Sequence, residues 1–566
     1  MNTLFKLRKA AMVVVAGLAA VFMIAGCKGD DGDGVGGGNN SSSASVTTVT
    51  VSGGSSIAIG KSVTLTATPN ATPSGAYKWQ VTEGDGYVTL GTSTTNKVTV
   101  TGKAAGTAKI TAAVDGVTSE PYTVRVKDAS ASDADLVVTP GAKVTTNGWA
   151  DLANNGAGMS YPDTTNIIYI GDDGYKVGSG SLTAYTSTTT KRKVFTNAIA
   201  SGSTLNSSAN ETAAIIVLSG MVDLSDGKVS DADHSYFNAF DSSHKREHGD
   251  IVYEIGSNKA IIGVNGAKVA FGGLQIYANK CERGNIIIQN IDFWDAHGST
   301  EYDTSVSTYS SKKASADSLV LESNGTTKDS NGYITYNCVP KNIWIDHCKF
   351  SDGTCKDLER NFNHDGSLDM KAGQYVTVSY CEFTNHDKVT LLAPDETYVA
   401  PDQRQITFHH NYYHGAIQRM PRSRGCQVHI YNNYYNDIGI KENGGYSLGP
   451  GIGSQFIVEN NYFGKHQTST ILKYFDNSGD DPSAATFSRL YYNGNNVTFS
   501  NTNMAKDKLE KASDVTAHLT TTAKPWTINY TYEPETNSEL PALIPTAAGT
   551  DKPDYTQTVE VDGVLY

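Results

Sequence analysis

The chain reads as all-β, with a large parallel β-helix preceded by a small β-sandwich. The first observation behind this is a repeat, the feature to seek before any other. NIIIQNIDF, NIWIDHCKF, YVTVSYCEF, QITFHHNYY, QVHIYNNYY and QFIVENNYF each place alternating apolar residues before an Asn or Cys and then an aromatic. The bend residues read as Asn290, Cys348, Cys381, Asn411, Asn433 and Asn461. The aromatics are Phe293, Phe350, Phe383, Tyr413, Tyr435 and Phe463. Each segment predicts a short period-2 strand, a polar bend and another short strand. Their spacing varies as it does in a solenoid with loops inserted on one side. Asparagine over asparagine at the bend can hydrogen-bond from coil to coil, as side-chain ladders do in stacked sheets. An antiparallel sandwich also alternates, but it has no need of the same bend residue in every strand. The second observation is a different rhythm over residues 46–127, where short alternating strands such as SVTLTATP and YTVRVK recur at regular turn spacing, the pattern of a small sandwich.

Taken in order, the chain opens with Lys6, Arg8 and Lys9 ahead of an apolar run from Ala10 to Ile24. That pattern is a signal peptide rather than a spanning helix. It closes with IAGC at Ile24–Cys27, which resembles a bacterial lipoprotein cleavage site. The resemblance implies a signal peptide over 1–26 and lipidation of Cys27. The protein would then be an exported lipoprotein at the outer membrane or cell surface, retained or later released. A single acyl chain binds a membrane weakly, whereas a diacylglyceryl group plus an amide-linked chain anchors firmly. Residues 27–45, rich in Gly, Asp, Ser and Asn, form a flexible tether. The 46–127 segment, with Trp79 as its expected core aromatic, resembles bacterial immunoglobulin-like group 2 domains, including its GTAKI element. It carries no acid, base or metal cluster. Residues 128–133 read as a linker, and 134–566 as the repeat-bearing domain.

Bulk properties narrow the function. At 566 residues the chain is too long for one ordinary domain. A net charge of −13 argues against general nucleic-acid binding. A polyanionic ligand would therefore depend on local cations or a metal, which prevail because the protein's own charge is screened beyond roughly 8–10 Å. Beyond Cys27 there are six cysteines. Cys348 and Cys381 take the bend position and read as packed ladder residues, while Cys338 and Cys355 are the better disulfide candidates. Among them no C-x-x-C spacing suggests zinc. A monomer is expected.

The chemistry concentrates in a few motifs. HDGSLDM supplies Asp365 and Asp369, and SADSLVL supplies Asp317 at the head of a strand. Carboxylates on neighbouring coils would form an oxygen-rich cup suited to Ca²⁺, a hard cation. NHDKVTLL places Lys388 after a strand, and QRMPRSRG crowds Arg419, Arg422 and Arg424 ahead of a repeat. A row of cations fixed by a repeat points to a polyanionic ligand. Trp344, Asp346 and His347 could be read as a catalytic pair with its support. The stronger reading is structural, because they lie in a strand whose bend belongs to the ladder.

Together these residues resemble the pectate lyases of polysaccharide lyase family 1, over about 148–541. WIDHCKFSDG, DG-x-x-D at Asp365–Asp369, HDK at His386–Lys388 and R-x-P-x-x-R at Arg419–Arg424 occur in that family's order, with SNKAIIGVNG and FGGLQI before them. The resemblance implies a right-handed parallel β-helix and β-elimination on polygalacturonate. It implies Arg419 as base, Asp317, Asp365 and Asp369 as calcium ligands, and Lys388 and Arg424 as uronate-binding groups. A guanidinium normally keeps its proton, so an arginine base asks its surroundings to loosen it. Two departures stand out. Ser315 occupies a position where some relatives carry a second acid, and LLAPDE at Leu391–Glu396 replaces a smaller Gly/Ser-rich loop, which would alter subsites. The competing readings are pectin lyase on methylated pectin, a β-helical polygalacturonase and a non-catalytic glycan-binding β-helix. Retained Asp365, Asp369 and Lys388 argue against the first. Missing G-H-G and R-I-K signatures argue against the second, and Arg419 beside the acidic cluster argues against the third.

Overall fold

The computed structural model describes residues 45–53, 56–60, 62–104, 106–127, 136–200, 211–227, 252–279, 282–296, 317–353, 364–439, 445–466, 470–475, 488–497, 504–506, 521–550, 552 and 559–566. Cys27, the tether up to residue 44, the 128–133 linker, Cys281 and Cys355 lie outside the described residues.

The repeat segments become pairs of short strands. Arg283–Gln289 is followed by Asp292–Trp294, Pro340–Asp346 by Lys349–Ser351, Gly373–Ser379 by Glu382–Thr384, and Arg404–His409 by Tyr412–His414. Cys426–Tyr431 with Tyr434–Asn436, and Ser454–Glu459 with Tyr462–Phe463, continue the series. Each strand pairs in parallel with its counterpart one coil on, so Ile286, Ile343, Val376, Ile406, Val428 and Phe456 stand in one buried row. A second parallel sheet closes the coil on another side. It runs Val252–Glu254, Gly273–Asn279, Leu319–Asn324, Leu368–Met370, Leu391–Leu392 and Arg422–Ser423. This second sheet is the groove sheet described below. The architecture is a parallel β-helix.

Two side-chain rows inside the coil hold it together. Phe293, Phe350, Phe383, Tyr413, Tyr435 and Phe463 stack with centroids 4.8, 4.9, 5.0, 4.7 and 4.8 Å apart. That spacing is set by the strand separation, and each such pair adds about 0.5–1.5 kcal/mol beyond burial. Beside them runs an amide ladder. The side-chain Nδ2 of Asn411 donates to Asn433 Oδ1, that of Asn433 to Asn461 and that of Asn461 to Asn495, at 2.9, 2.9 and 3.0 Å. The Cys381 backbone N–H enters the ladder by donating to Asn411 Oδ1 at 2.9 Å, and Cys348 and Cys381 lie buried in the same row.

Asn290 does not belong to that ladder. Asp292 pairs with Lys349, which puts Ile291, not Asn290, in register with Cys348. Asn290 instead opens a row of left-handed residues at the corner between strands. Asn290, His347, Tyr380, His410, Asn432 and Asn460 have φ of 55°, 49°, 49°, 54°, 56° and 53°. That conformation is uncommon for residues other than glycine and marks a turn that the coil imposes. The corner is held by main-chain bonds such as His347 N–H to Ser379 O at 3.0 Å and Tyr380 N–H to His409 O at 3.1 Å.

Among the described residues, two helices of eight residues or more escaped the sequence reading. Lys191–Ala200 packs Phe195, Ala198 and Ile199 into the core of the first coils, and Leu540–Ala547 lays Leu540 and Ile544 over Tyr412, Tyr434 and Tyr462. Ahead of the helix, two sheets pack face to face around Leu65, Val98, Val100, Ile110 and Val124. Trp79 is half-buried there, because its indole N–H reaches the Thr95 carbonyl at 3.0 Å and holds the ring at the core's edge.

Candidate active site

The groove sheet brings the predicted acids and bases onto successive coils. Leu319 pairs with Leu368 and Val320 with Asp369, so Asp317 lies alongside Gly366 one coil away. Gly366, Lys388, Gln418 and Tyr446 form a line of parallel bridges across four coils. Lys388 and Arg419 are therefore neighbours at roughly one strand spacing, ~4.8 Å along the helix axis.

Asp317 and Asp369 are both buried, and both turn toward Gly366. A Cβ added to Gly366 would stand 2.6 Å from Asp369 Oδ1 and 2.7 Å from Asp317 Oδ1, so only glycine leaves room for the two carboxylates. Asp317 Oδ1 accepts the Gly366 N–H at 2.7 Å, and Asp369 Oδ1 accepts the Leu391 N–H at 2.8 Å. Burial and the neighbouring Asp369 push the Asp317 carboxyl well above the usual carboxylate range. Burial and the charge of Asp365 raise Asp369 to about 6. Two like charges driven together out of water create a demand for a cation. Lys371 meets part of it. Burial would lower this lysine, but the carboxylates of Asp317, Glu322 and Asp369 outweigh burial and hold it above the ordinary range.

Asp365 does not join the pair directly. Its carboxylate forms an ion pair with the Lys388 ammonium, so the third expected calcium ligand and the expected uronate-binding lysine neutralise each other. Among the described residues no three His, Cys, Asp or Glu side chains form a metal-sized cluster. The two converging carboxylates are nonetheless hard-oxygen donors, and Ca²⁺ completes its roughly six to eight ligands with water and other oxygens. The donor chemistry fits that ion.

Arg419 stands on the next coil in a left-handed conformation, φ 66°, an outlier for a long side chain. Its Nε is buried without a hydrogen-bond partner. The guanidinium charge bears on Asp369 and on the phenol of Tyr446, which also feels Arg422 and Arg424. Arg424 is taken up by its own chain. Its Nε and Nη2 donate to Glu396 Oε1 at 3.2 and 2.7 Å, and its Nη1 donates to the Ala393 carbonyl at 3.4 Å. Burial raises Glu396, yet the Arg424 guanidinium outweighs it and holds the carboxyl below its usual range.

Sequence reasoning missed three supporting groups. Lys371 follows Asp369 by two residues and so shares its face of the strand, a period-2 signal that was available. Glu396 sits in the loop already marked as unusual. His386 joins Asp352 through Nδ1, and its Nε2 lies 3.1 Å from the carbonyl oxygens of both Asp365 and Lys388. One buried imidazole thus fixes the backbone of two site residues, which no spacing rule reveals. Trp344, Asp346 and His347 are on the opposite sheet, as their ladder position implied.

The fold and this charged line define a parallel β-helix protein with its converging acids and cations on one sheet. A family model described as pectate lyase matches residues 150–553. The chain is 32% identical over 232 residues to a pectate lyase of Bacillus subtilis (strain 168), covering 39% of this chain and 50% of that one. It is 34% identical over 199 residues to the pectate trisaccharide-lyase of Thermotoga maritima, covering 33% and 44%. It is 30% identical over 293 residues to pectate lyase E of Dickeya chrysanthemi, covering 47% and 66%. The chain spans about half the length of the curated relatives it matches. Among solved structures, a pectate lyase from Acidovorax avenae subsp citrulli aligns at TM-score 0.47 and 17% identity, covering 75% of this chain and 99% of that one. A variant of the Bacillus subtilis pectate lyase aligns at TM-score 0.45 and 20% identity, covering 72% and 98%. The chain belongs to the pectate lyase family.

Proposed function

We propose that the protein is a calcium-dependent pectate lyase. It cleaves (1→4)-α-D-galacturonan by β-elimination and releases 4,5-unsaturated oligogalacturonides. The observation that carries this reading is the convergence of Asp317 and Asp369 on Gly366, one to two coils from Lys388 and the left-handed Arg419. Asp317, Asp365 and Asp369 would hold Ca²⁺, Asp365 on release from Lys388. When bound, the ion would offset negative charge on the uronate carboxylate next to the reacting carbon.

The residues then divide the work. Lys388 and Arg424 bind uronate carboxylates and fix the sugar ring over the groove. Arg419 first gives a guanidinium proton to water; the C5–H bond then breaks and its proton passes to the neutral guanidine. The electron pair forms the C4=C5 double bond, and the C4–O bond breaks with its pair leaving on the oxygen, which takes a proton from water. Once Lys388 has parted from Asp365, the cations flanking C5 stabilise the charge that builds beside the carboxylate.

The test is absorbance of the unsaturated uronate product when protein meets polygalacturonate with calcium, followed by EDTA and then calcium again. Activity lost and regained supports the reading. Elimination that survives EDTA and favours highly methylated pectin overturns it in favour of a pectin lyase.

Cys27 as a lipid anchor, 27–45 as a tether and the sandwich as an immunoglobulin-like spacer would hold this enzyme at the cell surface. Fractionation of cells expressing the protein and its Cys27→Ser variant tests that. The variant should leave the membrane, and an already soluble parent protein sinks the anchor.

A further inference from the structure

We propose that Glu396 is a built-in counter-carboxylate that sets how strongly the groove prefers free over methyl-esterified uronates. The inference rests on the pectate lyase reading of this groove. Glu396 closes the segment LLAPDE, Leu391–Glu396. Its Oε1 takes both bonds from Arg424 and lies 3.7 Å from Arg422 Nη2. With the Nη1 bond to Ala393, all three guanidinium nitrogens of Arg424 are engaged within the chain. Glu396 fills the Nε/Nη2 fork of Arg424, so a uronate carboxylate can take that fork only by displacing Glu396.

The geometry makes that displacement accessible. Glu396 binds through a single oxygen, whereas a substrate carboxylate can offer two oxygens in the stronger fork-to-fork arrangement. The Glu396 side chain is 41% exposed, while that of Arg424 is 7% exposed. The arginine is thus fixed in the wall and its partner stands on the solvent side. Arg422 is also held in place, with its guanidinium 4.3 Å from the centroid of the Phe475 ring. A free uronate must compete with Glu396. A methyl ester has no charge to offer and can dock without stripping Arg424 of its partner, because Glu396 stays. The loop therefore narrows the gap between the two substrates.

The test is Glu396→Gln, assayed on polygalacturonate and on highly methylated pectin beside the parent protein. With Glu396 on the solvent side the pair is worth a small factor, so KM on polygalacturonate should fall about two- to five-fold with kcat little changed. The ratio of kcat/KM between polygalacturonate and pectin should rise by the same factor. A raised KM on polygalacturonate would mean that Glu396 serves only to orient Arg424, and an unchanged ratio would mean that it has no part in selection. Either result overturns the proposal. A parent protein that turns over neither polymer would overturn the pectate lyase reading instead. Titration of trigalacturonic acid into both proteins would then still decide Glu396, with tighter binding to the variant expected and equal or weaker binding overturning it.

Discussion

Two buried acidic centres lie on different sheets of neighbouring coils, and their surroundings differ. On the sheet away from the groove, Asp346 accepts a hydrogen bond from Ser379 Oγ at 2.6 Å and one from Gln289 Nε2 at 3.2 Å, and lies 2.9 Å from His347 Nδ1. In the groove, Asp317 and Asp369 face each other across a glycine, each accepting one main-chain N–H. The first centre is satisfied by neutral donors and a histidine. In the second, burial and neighbouring carboxylates raise both acids: Asp369 acts on Asp317, and Asp365 on Asp369. Burial and an Asp–His pair do not by themselves mark a reactive site, whereas unrelieved charge does.

The largest expected effect tests whether reactivity belongs to the groove alone. Arg419→Lys should lower elimination by about 10²–10⁴-fold with an unchanged melting temperature, since a general base contributes on that scale. Near-normal turnover by the folded variant would remove Arg419 from its role. The second test uses pH on calcium-free protein. Asp369, raised to about 6, binds its proton more tightly folded than unfolded. Its stabilising contribution is full below the ordinary value and is lost as pH rises through about 6. The melting temperature of calcium-free protein should fall from about pH 4 to pH 6. Asp369→Asn should flatten that fall, and calcium should reverse it above pH 6. A pH-independent melting temperature would mean that burial and Asp365 do not raise Asp369 in the folded protein.

At the other centre the expected change is in stability only. Ser379→Ala removes the hydroxyl that donates to Asp346 and accepts the Trp344 Nε1–H, and should cost about 1–3 kcal/mol in thermal unfolding with kcat/KM intact. A matching loss of activity would erase the distinction between the sheets. The smallest effect is expected from removing 46–127, which should leave kcat/KM on soluble polygalacturonate within error. A large loss in a well-folded truncation would show that the sandwich completes the groove.

Much of the coil was legible because its determinants are local. Alternation gave the strands, and the stacked aromatics gave the register from Phe293 to Phe463. The corner was misplaced by one residue at Asn290, because asparagine suits both a ladder and a left-handed turn and only the pairing of Asp292 with Lys349 separates the two uses. The site residues were legible as types in an order. Their partners were not. That Asp365 is neutralised by Lys388, and Arg424 by Glu396, depends on side chains meeting across coils more than 20 residues apart in sequence. The helices Lys191–Ala200 and Leu540–Ala547 carry weak periodicity and are defined by what they cover.

The amides of Asn411, Asn433 and Asn461 all point the same way, each passing a proton donor to the following coil. Their dipoles therefore add along the axis, and the row has a head and a tail. A turn spliced into this stretch would dock only if it brought an amide at that position in that orientation. A turn with an aliphatic residue there could still offer its main-chain N–H, as Cys381 does to Asn411 Oδ1, but would strand an amide N–H of the preceding coil. Loop length at the rim carries no such requirement. Repeat number in this protein is thus governed by polarity at the centre, while the groove is free to be rewritten at its edge.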